Sequence, residues 1–176
     1  MGQKILPKAI LVLGGAASGK SAYAENLCMA SGLSRTYIAT SQAWDDEMRA
    51  KIVAHQAQRG PDWTTIEEPI DLTGAIAQVP QGHVCLVDCL TLWLTNIMLA
   101  DHDIPHATDR LCTGIHEHPG PIIIVSNEVG QGITPDNKMA REFVNIQGRT
   151  NQRMAQICDG VVFVTAGIPQ VLKGTL

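Results

Sequence analysis

Short apolar runs alternate along the chain with longer segments in which apolar residues return at helical spacing. Ile10–Leu13 reads as a buried strand, and Ser21–Ala30, rich in helix formers and followed by Gly32, reads as a helix. Arg35–Thr40 is a β-branched and aromatic run that adds a second strand. Beyond a polar loop, Asp45, Asp46 and Glu47 suit a helix's first turn, and Met48, Ile52, His55 and Arg59 share one face of that helix down to a Gly60-Pro61 stop. Trp63–Ile66 predicts a brief strand, and Ile70–Val79 a helix closed by Pro80. His83–Asp88 is an apolar run ending in an acid, as in a central parallel strand, and Leu90–Ala100 is apolar on most sides and predicts a buried helix. From Asp101 to Pro119 histidines, prolines and Gly114 break the period, which predicts only a short helix between loops. Pro121–Ser126 is again a buried strand, with Asn127-Glu128 at its polar end and a glycine-rich loop after it. Asp136–Cys158 is the longest helical stretch, striped by Met139, Phe143, Ile146, Thr150, Met154 and Ile157 and weakened at Gly148 by up to about 1 kcal/mol. Val161–Thr165 is the run that closes the sheet. Strands alternating with helices in this way predict an α/β domain of three layers with a mainly parallel sheet.

Length and composition narrow the class. A chain of 176 residues suffices for one well-cored domain spanning residues 1–176, and neither a repeat nor a linker interrupts it. The net charge of -4 offers no basic footprint for nucleic acid, so an anionic ligand must be held by a local site. Five cysteines, odd in number and without a C-x-x-C pair, point away from a disulfide framework or zinc knuckle and toward a reducing cytoplasm. Residues Met1–Lys8 lack a signal-peptide core, and no run approaches the roughly 18 apolar residues of a membrane span, so membrane insertion is not expected. The histidines at 102, 106, 116 and 118 stand at no recognisable metal-ligand spacing.

The candidate chemistry begins where the first strand meets the first helix. Gly14, Gly19, Lys20 and Ser21 fit G-x-x-x-x-G-K-[ST], in which backbone N–H groups wrap phosphates, the lysine reaches the β/γ oxygens and the hydroxyl ligates Mg²⁺. The bland alternative is a glycine turn with Lys20 merely solvated, and the strand before it and helix after it argue for the cradle. Asp88, at the end of its own strand, is the natural second Mg²⁺ ligand beside Ser21. A lone histidine on an apolar helix face is ordinarily a satisfied core group. His55 gains interest because its helix follows the second strand, at the edge where nucleotide is expected, with Arg59, Trp63 and Glu67 close behind.

The segments GGAASGKS, YIATSQAWDDEMRAKIVAHQAQRG, WTTIEEP, LVDCLTLWLTN and VSNEVGQGITPDNKMAREFVNIQGRTNQRMAQICD together resemble, in order and over nearly the whole chain, the bifunctional adenosylcobinamide kinase/adenosylcobinamide-phosphate guanylyltransferase family. The resemblance implies a P-loop, RecA-like domain that phosphorylates adenosylcobinamide with ATP or GTP and then transfers GMP to adenosylcobinamide phosphate, with Mg²⁺, often as a homotrimer. The histidine that this family guanylylates corresponds to His55, seven residues after Met48, and Lys20 is the matching kinase group. The GTP contacts it implies are Gly14, Gly15, Ala16, Ala17, Ser18, Gly19, Lys20 and Ser21, then Ala39, Thr40 and Ser41, then Gln56, Ala57, Gln58 and Arg59, and finally Glu67 and Asp88. Ala17 and Lys51 stand where many relatives carry Arg, so those guanidinium contacts do not transfer. The NEVGQG loop with Asp136, Asn137, Arg141, Arg149 and Asn151 matches a further block, read either as a corrinoid or phosphate side or as a solvated helix face capped at Asp136. Two competing readings use the same cradle. In one the chain is a plain small-molecule kinase with a structural His55. In the other it is a GTP-binding switch, a reading weakened because Asn137-Lys138-Met139-Ala140 lacks the acid of an N-K-x-D guanine clamp.

Overall fold

A computed structural model describes residues 5–42 and 62–176. The predicted helix that carries Met48, Lys51, His55 and Arg59 lies outside these residues, as do Gln56, Ala57 and Gln58. The described strands are β1 (Ala9–Gly14), β2 (Ser34–Ala39), β3 (Trp63–Glu67), β4 (His83–Asp88), β5 (Ile122–Asn127), β6 (Gly160–Thr165) and β7 (Ile168–Lys173). They form one sheet in the order β3-β2-β4-β5-β1-β6-β7, and every pairing is parallel except β6 with β7. The five described helices are α1 (Lys20–Ala30), α2 (Leu72–Ala77), α3 (Leu90–Leu99), α4 (Ile104–Glu117) and α5 (Lys138–Ile157).

The central strands are buried on both faces, which is why their sequences are continuous apolar runs rather than alternating ones. On one face Leu11, Leu13, Val87, Ile122 and Ile124 meet α2 to α5. On the other, Ile10, Val12, Leu86, Ile123 and Val125 meet Ala24, Leu27 and Cys28 of α1. Trp93 is 2% exposed at the heart of the first face, and its indole N–H donates to the Ile70 carbonyl at 2.8 Å.

Three expectations need correction. The stretch after Asp101 is not a short helix between loops but 14 continuous helical residues. Pro105 sits in the first turn, where no intrahelical N–H is lost, and the Asp103 side chain caps that turn by accepting from His106 N. Thr108, Leu111, Cys112 and Ile115 then supply the buried i, i+3, i+4, i+7 stripe that the scattered histidines obscure. β6 does not close the sheet, because β7 pairs antiparallel beyond it through a two-residue turn in which Ala166 and Gly167 both have positive φ, 51° and 77°. Finally, α5 is capped by Asn137 and not by Asp136: Asn137 Oδ1 accepts from Ala140 N at 2.7 Å.

Candidate phosphate site

Parallel register brings the carboxyl ends of four strands to one edge of the sheet. Gly14 pairs with Asn127, Ala39 with Asp88, and Asp88 with Val125. The chain leaves β1 for β2 on the β5 side while β6 lies on the other, so the strand order reverses beside β1, the position at which open α/β sheets bind ligands.

The loop from Gly14 to Ser21 has the backbone of an anion cradle. Ala17 and Gly19 have φ of 54° and 91°, left-handed positions of the kind that anion-binding turns use. α1 starts directly after Gly19 with no side-chain cap, which leaves its first N–H groups available to phosphate oxygens. Gly15 faces open space, whereas a Cβ on Gly14 would strike the Ser18 hydroxyl and the Val164 carbonyl, so the loop's first glycine admits no side chain. Ser18 Oγ is buried without a partner. Lys20 Nζ donates to the Gly15 carbonyl at 3.2 Å, holding its charge over the loop, and Ser21 is half-buried beside it. Ala16 is exposed at the loop's outer bend.

Opposite the loop stand Asp88 and the end of β2. Thr40 is wholly buried and uses all its polar atoms to fasten this edge: its N–H donates to Asp88 O, its hydroxyl donates to Cys89 O at 2.7 Å and accepts from Cys89 N, and its carbonyl accepts from Asn96 Nδ2. Thr40 therefore shapes the edge, while Ser41 beside it is half-buried. Ala39 is buried and accepts from Glu68 N at 2.9 Å, and Glu67 ends β3 exposed at the same edge. Burial, reinforced by the Asp88 charge, pushes the Cys89 thiol up to about 11, and the Lys20 charge opposes that rise. Asp88 and Lys20 thus both act on the start of α3.

A hydroxyl and a carboxylate at one edge are a donor set suited to a hard divalent cation that keeps waters and phosphate oxygens as its other ligands. No group of three or more His, Cys, Asp or Glu side chains suited to a metal occurs among the described residues. Asn151 turns inward and bonds to the Asn127 carbonyl at 3.0 Å, while Arg141 donates to the Pro135 and Asp136 carbonyls. A groove of about 850 Å³ lies apart from the cradle, lined by Met98, Ile104, Thr108, Ile146, Arg149 and Arg153 among others. Sequence reasoning missed Thr91, Asn96, Gln147 and Gly167 as parts of this edge. Only Gly167 left a signal, as a glycine between two short β-type runs.

Residues 10–172 match the family described as cobinamide kinase / cobinamide phosphate guanyltransferase. The chain is 45% identical over 167 residues to the bifunctional adenosylcobalamin biosynthesis protein CobP of Pseudomonas aeruginosa, covering 93% of this chain and 96% of that protein. It is 37% identical over 180 residues to the bifunctional adenosylcobalamin biosynthesis protein CobU of Salmonella typhimurium, covering 93% and 99%. In fold it is similar to the assembled type III secretion ATPase EscN of enteropathogenic E. coli, with a TM-score of 0.57, 13% identity, and coverage of 91% of this chain and 43% of that one. The architecture is that of a P-loop NTPase. No helix among the described residues is long and apolar enough to cross a membrane.

Proposed function

The chain belongs to the cobinamide kinase/cobinamide phosphate guanyltransferase family, and on that premise we propose that it phosphorylates adenosylcobinamide and then transfers GMP from GTP to the product, giving adenosylcobinamide-GDP. The observation that carries this reading is a ready-made phosphate cradle facing Asp88 across one sheet edge. In the first reaction the loop amides and Lys20 hold the β and γ oxygens of ATP or GTP. The substrate's hydroxyl then displaces the nucleoside diphosphate from the γ-phosphorus. Ser21 and Asp88 would hold a Mg²⁺ ion, whose chemistry there would be neutralisation of phosphate charge. Lys20 contributes a point charge that follows the migrating phosphoryl group, and the fixed N–H groups need no reorganisation as charge develops.

In the second reaction His55, which lies outside the described residues, acts as the nucleophile. A ring nitrogen bonds to the α-phosphorus of GTP as the bond to pyrophosphate breaks. A phosphate oxygen of adenosylcobinamide phosphate then attacks that phosphorus and releases the histidine. Nucleotide contacts come from Gly14 to Ser21, Ala39 to Ser41, Gln56 to Arg59, Glu67 and Asp88, with Thr40 acting by fixing the edge. The active form is a homotrimer in the cytoplasm with no nucleic-acid partner.

Incubation with α-labelled GTP and Mg²⁺ tests the reading. An acid-labile GMP adduct forms on the wild-type chain and not on His55→Ala, and labelling that persists in the variant would overturn the nucleophile's assignment. γ-Phosphate transfer with no adduct and a fully active His55→Ala would favour a monofunctional kinase. The structure weakens the switch reading further, because Asn137 of the near-miss clamp spends its side chain capping α5.

A further inference from the structure

The groove of about 850 Å³ in the helix layer has no part in this scheme, and it is as large as the sites that take big organic ligands, roughly 300–1,000 Å³. Two helices tie it to the phosphate edge. On α5, Gln147 Nε2 donates to Ser126 Oγ at 2.9 Å and Asn151 Nδ2 to Asn127 O at 3.0 Å, while Ile146, Arg149 and Thr150 of the same turns line the groove. Gln147 and Asn151 are buried and also bond to each other, a rigid amide scaffold that holds α5 to β5. On α3, Thr91 Oγ1 accepts from Asn127 N at 2.8 Å, and Met98, seven residues on, stands in the groove wall. Seven helical residues advance roughly 10 Å, so the groove lies about one helix diameter from the edge.

The lining pairs apolar surface with unengaged polar groups. Met98, Ile104 and Ile146 supply the first. Thr108 and Thr150 are buried in the groove wall, and their hydroxyls bond to nothing among the described residues. Arg149 and Glu142, two turns apart on α5, are exposed in the groove and form no ion pair among the described residues, whereas Arg153 is engaged by Asp109 at 3.3 Å. A guanidinium and two hydroxyls donate to carbonyl oxygens and a carboxylate accepts from N–H groups, so the lining answers a ligand that carries amides around an apolar body. The carboxylates of Asp101, Asp103, Asp109 and Glu142 outnumber the two guanidiniums, which works against an anion such as a second nucleotide and favours a neutral or cationic ligand.

Adenosylcobinamide has that chemistry. It is a broad, largely apolar ring around a cationic cobalt centre, fringed with primary amides, and its reacting hydroxyl ends a flexible, amide-linked arm of about seven bonds. An extended chain covers roughly 3.5 Å in three bonds, so the arm spans roughly 8 Å, most of the interval to the phosphate edge. We propose that the groove between α3, α4 and α5 seats the amide-fringed ring of adenosylcobinamide. Arg149 and the Thr108 and Thr150 hydroxyls donate to amide carbonyls, Glu142 accepts from amide N–H groups, and the arm reaches past α5 toward the cradle. The inference rests on the adenosylcobinamide reading above.

Calorimetric titration of the full chain with adenosylcobinamide, in saturating GDP and Mg²⁺, reads the site, and titration with GDP and Mg²⁺ alone is the control. In the double variant Glu142→Ala, Arg149→Ala, adenosylcobinamide is expected to bind at least about tenfold more weakly, the size of a lost hydrogen bond to a charged group, while GDP binds within about twofold of wild type. Both side chains are exposed, so the melting temperature should stay within about 2 °C of wild type. Thr150→Val gives the same comparison should the double variant fail to fold. Unchanged adenosylcobinamide binding, or equal weakening of GDP, overturns the inference alone. So does a second equivalent of GDP lost in the double variant, which would make the groove a nucleotide site, or a fall in its sedimentation coefficient, which would make it a contact between copies of the chain. A wild-type chain that binds GDP but no adenosylcobinamide would overturn the proposed function and the inference together.

Discussion

Gly167 donates its backbone N–H to the Ser18 carbonyl at 2.8 Å, so the turn between β6 and β7 is fastened to the phosphate loop. A Cβ added to Gly19 would lie 3.1 Å from Gly167 Cα, whereas one added to Gly167 would meet nothing within 4 Å. Both glycines have positive φ, 91° and 77°.

The two glycines therefore differ in what an alanine costs. Gly167→Ala carries left-handed strain alone, on the order of 1 kcal/mol, which lowers the melting temperature by about 2–4 °C. Gly19→Ala adds crowding against backbone that cannot rotate away, and it distorts the backbone amides proposed to wrap phosphate. It should weaken GDP binding by at least about tenfold, against less than about threefold for Gly167→Ala, as read by titration.

Asp88→Asn tests the cation reading. The variant keeps the size of the side chain and the backbone bond from Thr40 N to Asp88 O, so folding should be preserved. Phosphoryl transfer to adenosylcobinamide should fall by on the order of 100-fold and require a higher Mg²⁺ concentration for half-maximal rate. A Mg²⁺ dependence identical to wild type would remove Asp88 from the metal site.

Gly148 lies within α5, and a Cβ there meets nothing within 4 Å. Gly148→Ala should therefore stabilise the fold by about 0.5–1 kcal/mol, raising the melting temperature by about 1–4 °C with no change in nucleotide binding. Calorimetry checks it directly.

Stability should fall at both ends of the pH range. Burial is the main cause that pushes the thiols of Cys28 and Cys158 up to about 12 and that of Cys89 up to about 11. Unfolded thiols ionise near about 8.5, so above that pH the unfolded chain binds fewer protons than the folded one. The contribution is whole below about pH 8.5 and is lost at about 1.4 kcal/mol per pH unit for each thiol as pH rises toward 11–12. On the acid side, burial and then the Lys8 charge lower the His118 pKa, so the unfolded chain takes the proton first and stability falls as pH drops below about 6.5. Denaturant titrations across pH should show both limbs, the acid one shallower in His118→Gln.

The strands were legible because parallel strands buried on both faces must be uniformly apolar, and their polar ends at Asp88 and Asn127 fall at one edge of the sheet. The turn from Gly14 to Lys20 was legible as a strand-to-helix connection because its spacing is local. Helix α4 was hidden by Pro105 and His106 in its first turn and His116 on its exposed side, and β7 by a turn built from Ala166 and Gly167 rather than Asn-Gly. Asn151 reads equally as part of a corrinoid or phosphate side and as part of a solvated helix face, and Gln147 carries no local signal. Only the register of β5 against β1 and the packing of α5 turn them into a buried scaffold, and no local pattern encodes that.

β7 has a consequence for how the chain behaves in company. It is a sheet edge whose every residue is exposed, with Ile168 and Leu172 at 70% and 57%, the sort of edge on which a neighbouring strand can grow. Pro169 removes one donor from that edge, and Lys173 pins its far end by donating to the carbonyls of Ala155 and Gln156 at the end of α5. The strand that steadies the phosphate loop is thus also a guard against runaway self-association, and a change that restores the missing donor, such as Pro169→Val, trades solubility for β-propensity at the margin of the active edge.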